Sequence, residues 1–325
     1  MDDEKAQRAI SEIADEIAGL GTTFDDVASA LRRISGELTE EMFANGADYY
    51  RAYMMVTAHL AALEKCHILT QNNVRFLETF NVLTVTRYVF ELLVWLRILE
   101  KDSDQAIELF VQVGEQQAEH IEAYTKKLTD EIALFREFDK EDKIPQSLVD
   151  DLKAGKIRGD EVGQRMREHE AEIDRRARRR FCLYARAARV NGYGFQAHLI
   201  EEKAIPRAVQ HLADVRAEQA AFESTIGQAE FDRITKTTKG KRARSSWKDR
   251  AQSVGMGDQY EFIYGYTSKL LHALPFSFYT RQKNLEALEM EVFLDFAYVS
   301  MLDIIDLGTR VVCLYDTRRT GSVLH

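Results

Sequence analysis

The stretch VRFLETFNVLTVTRYVFELLVWLRILEK, residues 74–101, has no proline or glycine and is the most apolar run in the chain. Apolar side chains cover most of its circumference at the helical repeat, the pattern of a helix buried on all sides at the centre of a bundle. Its densest part, YVFELLVWLRIL at 88–99, is interrupted by Glu91 and Arg97. That part falls short of the roughly 20 apolar residues that cross a bilayer, so it reads as core and not as a membrane span. Arg87 and Glu91, four residues apart in this apolar setting, either form an ion pair that sets packing or line a polar pocket.

The rest of the 325-residue chain fits around that helix. Its only prolines are Pro145, Pro206 and Pro275, and Ala, Leu, Glu, Lys and Arg dominate the long stretches between them. The composition is all-α. The expected architecture is a helical bundle with long antiparallel helices and a polar helical arm. Residues 1–45 form an N-terminal helical hairpin, 46–102 with 246–316 the bundle core, and 103–245 a polar insertion carrying basic segments.

In the hairpin, Ile10, Ile13 and Ile17 make an apolar stripe, and Thr22 or Thr23 is expected to cap a second helix containing Phe24, Val27, Leu31 and Ile34. A longer helix follows the Asn45-Gly46 break and runs to about Gln71. From Ser103 the sequence stays helical in period but turns polar. Asn191-Gly192-Tyr193-Gly194 predicts a break, and Pro206 the first turn of a fresh helix. The last long helix runs from about Gln282 to Tyr315.

A net charge of −9 spread over many helix faces favours solubility and makes local basic runs stand out. Cys66, Cys182 and Cys313 are odd in number and far apart, so no disulfide framework or thiolate zinc site is expected. They read as buried small hydrophobes in a reducing compartment. The acidic, amphipathic start MDDEKAQRAISEIADEIAG is no signal peptide, so a cytoplasmic protein is expected.

Residues 245–279, SSWKDRAQSVGMGDQYEFIYGYTSKLLHALPFSFY, place Tyr260, Tyr264, Ser268 and His272 at four-residue steps on one gradually wrapping helix face. Pro275 is expected to end that helix, where the dipole would raise the pKa of His272. Two motifs, T-R-Y-V-F-E-L-L-V-W-L-R-I-L over 86–99 and W-x(2)-R with Y-x(3)-Y-x(3)-S-x(3)-H on Trp247, Arg250, Tyr260, Tyr264, Ser268 and His272, resemble the signatures of a bacterial helical family, domain of unknown function 5677. No activity comes with that name. The layout resembles, more distantly, the nucleotide-binding HEPN proteins of toxin and antiphage systems, whose ribonucleases carry R-x(4 to 6)-H inside a helix. Here only Arg318 or Arg319 to His325 has such spacing, in a glycine-containing tail, and that departure speaks against HEPN-type cleavage.

The candidate catalytic set is His272, Arg87, Glu91, Ser268 and Tyr264. His272 is either a phosphate-holding imidazolium or a cap on helix-end carbonyls. Ser268 either is a nucleophile or simply hydrogen-bonds to it. Glu64 and His67 are half of a di-metal carboxylate motif with no second half, so no metal and no cofactor is implied. Asp303 either joins a polar pocket or lies along a solvated helix edge. Lys239, Lys241, Arg242, Arg244, Trp247 and Arg250 are the candidate nucleic-acid contacts, with Trp247 as a stacking surface. Arg175–Arg180 is either a second phosphate patch or a row paired with Glu168, Glu170, Glu172 and Asp174. Two functions follow: an RNA- or nucleotide-interacting protein of bacterial defence or toxin type, with a nuclease as one form of it, or a non-enzymatic helical scaffold that meets protein partners through the polar arm; a homo-oligomer is a separate expectation.

Overall fold

The computed structural model describes residues 2–72, 78–141, 146–234, 246–271 and 285–319, and these contain helices and no strand. The protein is an all-α helical bundle. The chain divides into two compact units, residues 1–111 with 223–325, and residues 112–222. Both divisions fall inside helices.

In the first unit, α1 (Asp2–Gly19) buries Ile10 and Ile17, and α2 (Gly21–Glu37) buries Phe24, Ala28, Leu31 and Ile34. These positions recur every three or four residues, so each helix offers one apolar stripe. The link is tighter than expected, because Leu20 itself takes the cap position in helical geometry without a side-chain cap. Thr22 and Thr23 therefore lie inside α2 and cap nothing.

Helix α3 (Gly46–Asn72) begins where Asn45 Oδ1 accepts the N–H of Asp48 at 2.9 Å. It buries Val56, Leu63 and Cys66. Burial pushes the Cys66 thiol up to about 12. Cys182 is half-buried and Cys313 exposed, so the expectation of buried cysteines holds for Cys66 alone. Glu64 bonds to Arg32, and His67 Nδ1 lies 2.9 Å from the Gly21 carbonyl, so both halves of the partial metal motif are used in packing.

Helix α4 (Thr79–Lys101) is the centre, with Val82, Leu83, Val89, Phe90, Leu93, Val94 and Leu99 almost without solvent contact. Burying each such side chain contributes about 1.5–3 kcal/mol. It is enclosed by α3 and by three later helices: α11 (Trp247–Ser253), α12 (Gly257–Leu271) and α13 (Ala287–Arg319). The Thr86 hydroxyl donates to the Phe293 carbonyl across the α4–α13 contact at 3.1 Å. Helix α13 also packs on α1, α2 and α3. Gly308 makes that approach possible, since a Cβ there would stand 2.9 Å from a Leu63 methyl and 3.2 Å from one of Val27.

The second unit is formed from α5 (Asp104–Glu141), α6 (Gln146–Lys153), α7 (Gly159–Arg179), α8 (Ala185–Asn191), α9 (Tyr193–Leu199) and α10 (Ile205–Ile226). Its polar surface encloses an apolar seam in which Leu128, Ile132, Phe135 and Phe138 meet Ile173, Ala177, Tyr193 and Ile200. Gly192, at φ 88°, separates α8 from α9 as its sequence predicts. The buried carboxylate of Glu131 accepts the N–H groups of Leu183 and Tyr184 at 2.8 and 2.6 Å, satisfying donors at the start of α8. Pro206 begins no separate helix. A π-helical turn, Ile200–Ala204, joins α9 to α10 without interruption.

Candidate functional site

Three of the expected site residues share one place in the first unit. Arg87 and Glu91 stand one turn apart on α4, and the Arg87 Nε donates to Glu91 Oε1 at 3.0 Å. The Tyr264 hydroxyl, reaching across from α12, donates to the same carboxylate oxygen. The Arg87 guanidinium also covers the Tyr264 ring, 4.2 Å from its centre. Four-residue steps explain the meeting: Arg87, Glu91 and Trp95 form one row on α4, and Tyr260 and Tyr264 form another on α12.

The aromatic groups continue the row. The Tyr260 and Tyr264 rings are 4.3 Å apart and inclined by 30°, and Trp247 lies 6.4 Å from Tyr264. Trp95 meets Trp247 edge to face at 6.3 Å. Arg250 caps that end, 4.6 Å from Trp95 and 5.4 Å from Trp247. Helix α11 positions Trp247 and Arg250 because Ser246 and Asp249 cap each other's backbone N–H reciprocally. The result is a ladder of consecutive rings with a cation at each end, Arg87 over Tyr264 and Arg250 over the two tryptophans, partly buried along its length. Trp95 and Phe90 were not among the expected site residues. The signal for Trp95 was present, since it is the next four-residue step after Arg87 and Glu91.

The electrostatics fix the protons. Burial raises the Tyr264 phenol well above its ordinary value, and its hydrogen bond to Glu91 raises it further. It is a donor at neutral pH and not a base. Burial works against the charge of Arg87, but its bond to Glu91 and the nearby phenol outweigh that and hold it protonated. The cluster thus offers fixed donors, a positive charge and flat π faces. Among the described residues it has no hydroxyl beside a free base, which nucleophilic catalysis needs.

Other expected residues are placed differently. Ser268 belongs to α12, but its side chain, like all of His272, Lys239, Lys241, Arg242 and Arg244, lies outside the described residues. The arginine run on α7 is largely compensated: Arg175 bonds to Glu172 at 2.8 Å and Arg176 binds Glu141 through two bonds. Asp303 pairs with Arg97 at 2.5 Å. Among the described residues no group of three or more His, Cys, Asp or Glu is arranged to hold a metal, and no helix is long and apolar enough to cross a membrane.

The model of the family described as Family of unknown function (DUF5677) matches residues 67–287. The chain belongs to that family. The matched range contains the whole ladder and the second unit. No curated protein and no solved structure matches the chain.

Proposed function

We propose that this DUF5677 protein binds RNA through the arginine–aromatic ladder on its first unit. The observation that carries the reading is a run of rings, Trp95, Trp247 and Tyr264, closed at its two ends by Arg250 and Arg87 along one partly buried row. Bases stack on aromatic faces with contributions of about 1–3 kcal/mol each, and arginine supplies both stacking and phosphate contact. In sequence, Trp247 directly follows the basic run that holds Lys239, Lys241, Arg242 and Arg244. The fixed protonation of Tyr264 and Arg87 favours binding over cleavage. A nuclease role would fall to His272, and a bacterial defence or toxin setting rests on the distant HEPN resemblance.

The test is fluorescence polarisation with a labelled single-stranded RNA, run beside a gel assay for cleavage. Trp247→Ala should weaken binding roughly 5- to 100-fold, the equivalent of losing one stacked base, while circular dichroism shows the helices intact. RNA retention that is indifferent to both Trp247→Ala and Arg250→Glu would defeat the proposal. Cleavage lost in His272→Ala would extend it to a nuclease.

A second reading, a protein-interaction scaffold, draws on α13. Leu288, Val292, Val299 and Leu302 are exposed along one face of that helix. Single exposed apolar residues are ordinary, but four in one stripe suit a partner helix. Sedimentation that detects a specific complex lost in Val292→Glu with Val299→Glu would favour it.

A further inference from the structure

The second unit contains a concave groove of about 590 Å³, within the range of small-molecule sites. One wall is the α5 segment carrying His120, Ile121 and Tyr124. The other follows the π-turn into α10 and presents Lys203, Arg207 and His211, spaced four residues apart on one face. Small residues at Ala204 and Ala208 leave the space between them open.

The charge of this groove is unbalanced. None of the residues lining it is Asp or Glu. Several other arginines of the same unit are paired, as in Arg136 with Glu201, Arg176 with Glu141, Arg189 with Asp174 and Arg216 with Glu122. Lys203 and Arg207 form an ion pair with none of the described carboxylates. Two cations and two imidazoles therefore face one hollow whose own lining carries no carboxylate.

The groove also offers a ring-sized apolar part. Tyr124 and Tyr184 both line it, with Leu199 and Ile200 next to them. The neighbouring Tyr124 hydroxyl and burial raise the Tyr184 phenol, the Glu131 carboxylate adds to the rise, and the charge of Arg207 opposes it. Gln196, only 4% exposed, lines the same hollow, and its Oε1 is held by Asn191 Nδ2 at 3.0 Å. The π-turn itself carries Ile200, Lys203 and Ala204 of this wall, and Arg207 follows one turn later on α10. Single π-turns inside α-helices are rare and recur at functional sites.

We propose that this groove binds a small phosphorylated ring compound of the nucleoside phosphate class, with Lys203 and Arg207 on the phosphate and Tyr124 and Tyr184 beside the ring. The proposal is independent of RNA binding at the ladder. Calorimetric titration of the full chain with the four nucleoside monophosphates, ADP, adenosine and pyrophosphate tests it. At least one nucleotide should bind one to one and raise the melting temperature, with adenosine and pyrophosphate at least tenfold weaker. Arg207→Glu and Lys203→Glu, both at exposed positions, should each weaken that nucleotide at least tenfold with unchanged helix content. Trp247→Ala in the first unit should leave it intact, which separates this site from the RNA reading. No binding by any nucleotide, pyrophosphate binding as tightly as ADP, or full affinity in both charge reversals would overturn the assignment.

Discussion

Glu91 takes two donors on one oxygen, from Arg87 and Tyr264, at a position only one-quarter exposed. Removing the carboxylate leaves a half-buried guanidinium and a phenol without their acceptor, so Glu91→Ala should cost about 1–3 kcal/mol in urea unfolding. Tyr264→Phe keeps the ring and deletes one bond, for about 1 kcal/mol. A double-mutant cycle on the pair should return a coupling above about 0.5 kcal/mol, and additivity would show that the contact is incidental. The raised Tyr264 pKa sets an alkaline signature. Folding favours the neutral phenol, so its contribution is full below the unfolded tyrosine value near 10 and is lost as pH rises above it. Stability measured from pH 8 to 11 should therefore fall more steeply in the wild type than in Tyr264→Phe. Glu230 acts at the acid end, because its bonds to Arg233 and Arg51 hold its pKa down to about 2. Its contribution is present above the unfolded value near 4.3 and declines as pH falls from there toward about 2. Glu230→Gln should flatten that acid limb.

At the scale of the element, α4 and α13 carry the packing of the first unit. Phe90 is fully buried and edge-on to Tyr264, so Phe90→Ala should cost about 3–5 kcal/mol and disturb the ladder as well as the core. Gly308→Ala sets two effects against each other. Alanine is the better helix former by about 1 kcal/mol. Its methyl would stand 2.9 Å from a side-chain carbon of Leu63, which is itself fully buried and has little room to move. Overpacking of that kind costs about 1–3 kcal/mol, so the substitution should be neutral to destabilising by about 2 kcal/mol. A clear gain in denaturation midpoint would mean that α13 yields easily.

For the whole molecule, charge decides how RNA would be held. A chain with net charge −9 repels a polyanion at long range, so binding has to come from the local cations of residues 235–250 and from stacking. Affinity should therefore fall steeply with salt, and converting Lys239, Lys241, Arg242 and Arg244 to glutamate should reduce that slope as well as the affinity. A slope unchanged by the quadruple reversal would place the phosphate contacts elsewhere. The second unit follows a different rule, because most arginines of its α7 run are neutralised by nearby carboxylates. The same residue type thus pairs internally along one helix and, in the groove lined by α10, forms no ion pair with a described carboxylate.

The helices were legible because an apolar stripe at the helical period and a near-absence of proline leave few alternatives, and these are local properties of the chain. The Arg87–Glu91 pair was legible for the same reason, being one turn apart on a single helix. Burial of Cys66 but not Cys313 was not, since both lie in apolar helices and only packing partners distinguish them. The division into two units left no linker to find, because it falls within α5 and α10 and not in a glycine- or proline-rich stretch. Pro206 misled because a π-turn accommodates a residue without an N–H inside a continuous helix, whereas the local rule expects a new start. Tyr264 meeting Glu91 across 173 positions, and Trp95 meeting Arg250, were decided by how α4, α11 and α12 dock. Sequence periodicity fixes which residues share a face of one helix; only the packing of helices far apart in the chain decides which faces meet.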